Sequence, residues 1–286
     1  MRAGAHATFV IGAWLLVGAI HVAADDAPAP ALGPEKRAST AMAVVVAISK
    51  AATENVLLPA AARLTGDALA ELYVRRAAEA AAGDVRAFTT GLAKALDPTD
   101  SLGKFPLTAR AFQGLETADE AKARLAALGK PLLRGRNDRL LHFVVSAAMA
   151  SLVGESAAVM AGIAKELSDA KGTSGFSIGD LLADTAGIVF ARRLAAGEPV
   201  KNLAWVATAF TGAAVVPDDA GLADSMTAAE FEKAYGSVTD PRFVRVREGL
   251  ATSVEALSYL RPAPAPSVAP DPTAPSDGRR DPRPTK

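Results

Sequence analysis

The sequence predicts an all-α protein: a multi-helix bundle with a disordered, proline-rich C-terminal tail. Three observations carry that expectation. Between residues 38 and 260 apolar positions recur at the spacing of a helix face, not in the alternation of a strand. Glycine, proline and Asp-Pro breaks divide the same stretch into segments of about 10 to 18 residues, an ordinary helix length. From Pro262 to Lys286 there are eight prolines and no leucine, isoleucine, methionine or aromatic residue, so this end cannot bury enough apolar surface to offset its ordering entropy.

Taken in order, the elements begin with an export signal. Arg2 precedes Ala7 to Ile20, a run of 14 residues without charge, and Val22-Ala23-Ala24 supplies the small residues of a signal-peptidase site. Residues 1–24 are expected to be a signal peptide cut after Ala24, giving a periplasmic or secreted protein; an uncleaved anchor is the rival. Residues 25–37, with Pro28, Pro30 and Pro34, form a disordered leader, 38–260 a single helical domain, and 261–286 the tail.

Within the domain, helices are expected at 40–53 and 56–64, then at 67–82 up to Gly83 and 85–96 up to Asp97-Pro98. The helix at 118–128 opens with the capping box Thr117-x-x-Glu120 and closes at Gly129. Helices 138–152 and 155–170 are separated by the turn Gly154-Glu155, and 178–195 starts from Ser177 as N-cap. The remaining three are 202–214, 228–235 behind the capping box Thr227-x-x-Glu230, and 241–259. Phe143 to Ala164 and Asn202 to Pro217 are poor in charge, but the first contains the Gly154 turn and the second is short for a bilayer, so both are expected as buried core helices.

Composition narrows the chemistry. With 31 basic and 31 acidic residues, the chain lacks the basic excess that nucleic-acid binding needs, and no nucleic-acid partner is expected. It has no cysteine, which removes disulfides, thiolate metal sites and cysteine nucleophiles. Of its three histidines, His6 and His21 leave with the signal peptide. His142 is then the single imidazole, so a multi-histidine zinc site or a di-iron site built on two Glu-x-x-His motifs is excluded.

The polar residues that remain concentrate between 138 and 195. Asp138 and His142 are one turn apart, and His142 shares the apolar stripe of Val145, Met149 and Leu152. Glu166 follows Val159 and Ile163 at helical spacing, an ionisable group where leucine is expected, with Asp169 three residues on. Ser177, Asp180 and Asp184 lie on the next helix, whose Gly187 and Ala191 let a neighbour approach closely. Buried unpaired, such charges would each cost several kcal/mol, so they are paired, protonated or bound to something.

Three readings stay open at this point. His142, Glu166 and Asp184 could be acid/base groups, or a buried hydrogen-bonded cluster that only fixes helix register. With Asp169 and Asp180 they could instead hold one divalent metal, since a single histidine among carboxylates suits Mn, Mg, Ca or a carboxylate-rich Zn or Fe site. Asp138, Asp169, Asp180, Ser177, Arg134 and Arg136 are candidate binding groups. Arg134 and Arg136, with Arg139, make a basic turn that could grip a phosphate or headgroup but suits solvated pairing with nearby acids. A Ser-His-Asp arrangement would need Ser177, whose cap geometry turns its hydroxyl toward backbone N–H groups. The expected geometry places His142, Glu166 and Asp184 together in the interior, with Asp169 and Asp180 at the edge.

Read in series, Asp138-x-x-x-His142-Phe143, Lys165-Glu166-x-x-Asp169 and Phe176-Ser177-x-x-Asp180-Leu181-x-Ala183-Asp184-x-x-Gly187 resemble the motifs of VanZ-like proteins and YfiM-type envelope lipoproteins. Residues 138–187 carry that resemblance, with Asp184 where asparagine is common and no lipobox cysteine. The remainder, including Phe231-Glu-Lys-Ala-Tyr-Gly236, resembles exported bacterial helical proteins. What the resemblance implies is a cell-envelope setting. The expectation is an exported, envelope-associated helical protein with a buried His/Glu/Asp cluster, meeting an envelope component or a membrane surface; the alternative is a metal-dependent hydrolase acting on an envelope component.

Overall fold

The computed structural model describes residues 34–196 and 202–257, and among them every regular element is a helix. The predicted signal peptide 1–24 and the tail 261–286 lie outside the described residues, as does most of the leader 25–37. The last four leader residues are a correction. Helix α1, Pro34–Leu57, starts inside the stretch expected to be disordered, because a proline in the first turn removes an N–H that had no partner and presets the helical φ.

A second correction follows at once. The helix expected at 56–64 does not form: α1 runs through to Leu57, and Pro59 then turns the chain away, leaving only the 3-10 turn Ala60–Ala62. Helices α2, Gly66–Ala80, and α3, Val85–Leu96, come next, α3 capped by Asp84 accepting from the Ala87 N–H. Two one-turn helices not foreseen in the sequence, α4 (Ser101–Lys104) and α5 (Ala109–Phe112), occupy the following loop. Asp97 organises it by accepting from the N–H and hydroxyl groups of both Thr99 and Ser101. Helix α6, Ala118–Ala127, opens with the expected capping box.

The centre of the molecule is α7 (Asn137–Val153), which packs on α3, on α8 (Glu155–Asp169) and on α9 (Ile178–Ala195). Gly154, at φ 96°, makes the sharp reversal between α7 and α8. Helix α9 lies so close to α7 that a Cβ on Gly187 would collide with the Phe143 carbonyl, and Gly91 of α3 meets α1 at Ala41 and Val44 in the same way.

Residues 202–214 split into α10, Leu203–Ala209, and α11, Gly212–Val215. The break is at Phe210, extended and fully buried, whose ring fills the space beside Phe143 and Phe190 at centroid distances of 6.4 and 5.9 Å. Core packing there outweighs helix continuity. The last elements are α12 (Ala228–Tyr235), again behind its capping box, and α13 (Pro241–Glu255). Phe176, Phe231 and Phe243 form a second aromatic group, with Phe176 and Phe231 4.4 Å apart, and Phe176 exchanges two backbone hydrogen bonds with Met226. Together these contacts fix the start of α9, where the polar residues sit.

Among the described residues α1, over Glu35–Leu57, is the helix long and apolar enough to cross a membrane, and 39% of its most apolar window is buried.

Candidate metal centre

His142 on α7 is 2% exposed and reaches α9 on one side and α8 on the other. Its Nδ1 lies 3.1 Å from Asp184 Oδ1, which also accepts from the Ser146 hydroxyl at 2.6 Å. A carboxylate oxygen accepts, so Nδ1 carries the proton in this pair. The other nitrogen, Nε2, faces Glu166 Oε1 at 3.7 Å and Asp180 Oδ2 at 3.5 Å. Both distances exceed a good hydrogen bond. They resemble the edges of a coordination shell, since donors bonded at about 2.1 Å to one ion stand about 3 to 3.5 Å apart. All three donor atoms fall within 4.8 Å of one another.

Each carboxylate is held by the start of α9 or by a basic neighbour. Glu166, fully buried, accepts the Ser177 N–H on Oε2 at 2.9 Å, which turns Oε1 toward His142. Lys165 Nζ stands 3.4 Å from that Oε1 and binds Asp169 at 2.6 Å. The Ser177 hydroxyl caps α9 by accepting from the Asp180 N–H, leaving the Asp180 carboxylate free to reach inward. Asp180 Oδ1 is 3.3 Å from Arg139 Nε, and Arg139 also bonds Asp219. Two helix glycines make this possible. A Cβ at Gly179 would strike the Arg139 guanidinium, and one at Gly162 would lie 2.5 Å from Asp184 Oδ2.

Acidic side chains crowd this region. Among the described residues, the carboxylates of Glu166, Asp169, Asp180, Asp184 and Asp219 lie against His142, Lys165 and Arg139. Burial and neighbouring charges together set the titration of the cluster. Complete burial pushes the His142 pKa down, but the Asp184 and Asp180 charges and the Asp184 hydrogen bond outweigh it and hold the imidazole at about 9. Burial pushes the Glu166 carboxyl up to about 7 against the pull of His142 and Lys165. Burial likewise raises Asp180. For both carboxyl groups burial is the largest cause, and the nearby cations offset it only in part.

The structure brings together His142, Glu166, Asp180 and Asp184, but not as a single ligand shell. Asp180, expected at the edge, faces Nε2 with its side chain 13% exposed, while Asp184 takes the opposite nitrogen. Asp169 stays at the edge on Lys165. Asp138 pairs with Arg136, which also binds Asp224; Arg134 sits beside Asp218. Arg139 is a correction: grouped by sequence with a solvated turn, it is 3% exposed and neutralises Asp180.

Sequence reasoning also missed Ser146 and Asp219, and gave Lys165 no role beyond its place in the motif Lys165-Glu166-x-x-Asp169. Ser146 was legible, being one turn beyond His142 on the same face; Asp219 arrives from a loop 80 residues beyond Arg139 and carried no local signal. Asp184 lines, in addition, a cavity of about 260 Å³ between α8, α9 and α13 walled by Val159, Ile163, Ile188 and Leu250. Comparison with protein-family models, curated proteins and solved structures returns no match.

Proposed function

We propose that this is an exported, envelope-side helical protein that holds one divalent cation in its interior through His142 Nε2, Glu166 and Asp180. The observation that supports the reading is the meeting of one imidazole nitrogen with two carboxylates from two other helices at 3.5 and 3.7 Å in the interior. Asp184, backed by Ser146, keeps the Nδ1 proton and so presents the Nε2 lone pair, the arrangement by which a carboxylate orients a metal-binding histidine. The cation takes the place of the proton that Nε2 otherwise carries, so binding releases a proton. Enclosure favours binding over hydrolysis. The Glu166 side chain is fully buried, the His142 side chain is 3% exposed and the Asp180 side chain 13% exposed, so among the described residues the cation would meet solvent mainly beside Asp180, a narrow approach for a polymeric envelope substrate. The export part of the reading rests on Arg2, the uncharged run and Val22-Ala23-Ala24.

Elemental analysis of protein purified without chelator, followed by calorimetric titration with Mn, Mg, Ca and Zn salts, tests the cation. One equivalent bound by the native chain and none by Glu166→Gln or Asp180→Asn is expected. A native chain that binds none of the four overturns the reading.

A further inference from the structure

Among the described residues nine large apolar side chains are exposed, and six of them, Met42, Val46, Val56, Leu57, Leu58 and Leu64, belong to α1 and the loop that leaves it. Every residue from 56 to 65 is exposed, and Leu57 reaches 79%. Met42, Val46 and Leu57, at spacings of four and eleven, share one helix face, so the apolar surface runs back along α1. Apolar surface concentrated in this way marks a contact with something else.

The loop is built to display these side chains. Buried Asn55 donates to the Leu64 carbonyl at 3.0 Å and accepts the Leu64 N–H at 2.8 Å, closing the loop at its base. Arg63 Nε donates to the Leu58 carbonyl at 2.9 Å, and the 3-10 turn fills the span between. A segment that served only to connect α1 and α2 would need neither these bonds nor four exposed aliphatic side chains.

Charge decides what the loop meets. From 55 to 66 the single charged residue is Arg63, and the nearest charges on α1, Lys50 and Glu54, face each other at 3.8 Å. The loop of a second copy has no acid between residues 55 and 66 and so offers Arg63 no partner of opposite sign. The loop also lacks the tyrosine and tryptophan anchors typical of protein contacts. An anionic lipid surface supplies both missing parts, hydrocarbon for the leucines and phosphate for the guanidinium.

We infer that the protrusion 56–64 docks this protein on an anionic membrane surface, with Leu57 and Leu58 entering the headgroup boundary and Arg63 pairing with lipid phosphate. The docking shares no residue with the cation site and stands or falls separately from it.

Co-sedimentation of the full chain without its signal peptide tests the docking, using phosphatidylcholine vesicles and vesicles of phosphatidylcholine and phosphatidylglycerol in equal parts. Binding to the mixed vesicles, unchanged by chelator, is expected. The double variant Leu57→Ser/Leu58→Ser should lower it about tenfold or more, and Arg63→Ala about fivefold on the mixed vesicles alone. Leu107→Ser, an exposed leucine elsewhere, should change nothing. All these positions are exposed, so circular dichroism should confirm intact helices in each variant. A native chain that sediments with neither vesicle overturns the inference. So does a self-associated chain in sedimentation equilibrium that the Leu57→Ser/Leu58→Ser variant disperses, because a second copy would then be what covers the loop.

Discussion

Asp180 and Asp184 are one helical turn apart, and that spacing lets a single helix address both nitrogens of one imidazole. The consequences are testable residue by residue. Glu166→Gln keeps volume and most hydrogen bonding, so a cation ligand predicts lost binding with a stability change of about 1 kcal/mol. A purely structural ion pair predicts a loss nearer 3 to 5 kcal/mol with no ligand affected; urea denaturation beside calorimetry separates the two. Gly162→Ala should destabilise the fold, even though alanine is favoured over glycine in a helix by about 1 kcal/mol, because its Cβ would stand 2.5 Å from Asp184 Oδ2. It should also weaken cation binding, since a displaced Asp184 no longer orients His142; a more stable variant with native affinity would contradict this.

The pH dependence of the cation-free protein has a definite sign. His142 is raised to about 9, so its contribution is complete below its ordinary value of 6.5 and is lost as pH rises through 9. Glu166 is raised to about 7, so ionising it as pH climbs from 4.5 through 7 also costs stability. Both groups bind protons more tightly in the folded chain, and stability in chelator should fall from pH 5.5 to pH 9. Denaturation midpoints that rise over that range would contradict the assignment.

At the scale of elements, the cluster depends on how closely α9 lies against α7. Gly187 sets that distance, because its missing Cβ is the space the Phe143 carbonyl occupies. Gly187→Ala must push two backbones apart, and overpacking of this kind costs about 1 to 3 kcal/mol. It should lower the thermal midpoint and also loosen the contact between His142 and Asp184. A variant as stable as the native chain would mean the two helices can shift without cost. The start of α9 is held from the other side by the Phe176, Phe231 and Phe243 rings, so α12 and α13 act on the site by fixing where Ser177 and Asp180 begin.

For the molecule as a whole, a cation that binds the folded chain alone links binding to global stability. At a concentration about 100 times its dissociation constant it adds about 2.7 kcal/mol, or roughly 5 to 11 °C in a domain of this size. Chelation should therefore lower the thermal midpoint by that much, and adding the cation back should restore it; no change on chelation of the metal-loaded protein would exclude linkage. N-terminal sequencing of protein recovered from the producing cell should begin at Asp25. A chain beginning at Met1 and released only by detergent would favour the anchor instead.

Local chemistry made most of the helices legible. Apolar spacing, the capping boxes at Thr117 and Thr227 and the Ser177 cap act within one or two turns of chain, so sequence alone carries them. It failed where a local rule was outweighed: at Pro34, where the first turn tolerates proline, and at Phe210, where burial of the ring broke a helix that spacing favoured. His142 and Glu166 stood out for a similar reason, as ionisable side chains on apolar stripes. Which nitrogen meets which carboxylate, the burial of Arg139 against Asp180 and Asp219, and the uncovered face of α1 were decided only in the tertiary structure. They depend on the rotation of each helix about its own axis and on segments far apart in the chain, and periodicity fixes neither. Sequence determined which side chains could enter the interior; packing determined which of them meet.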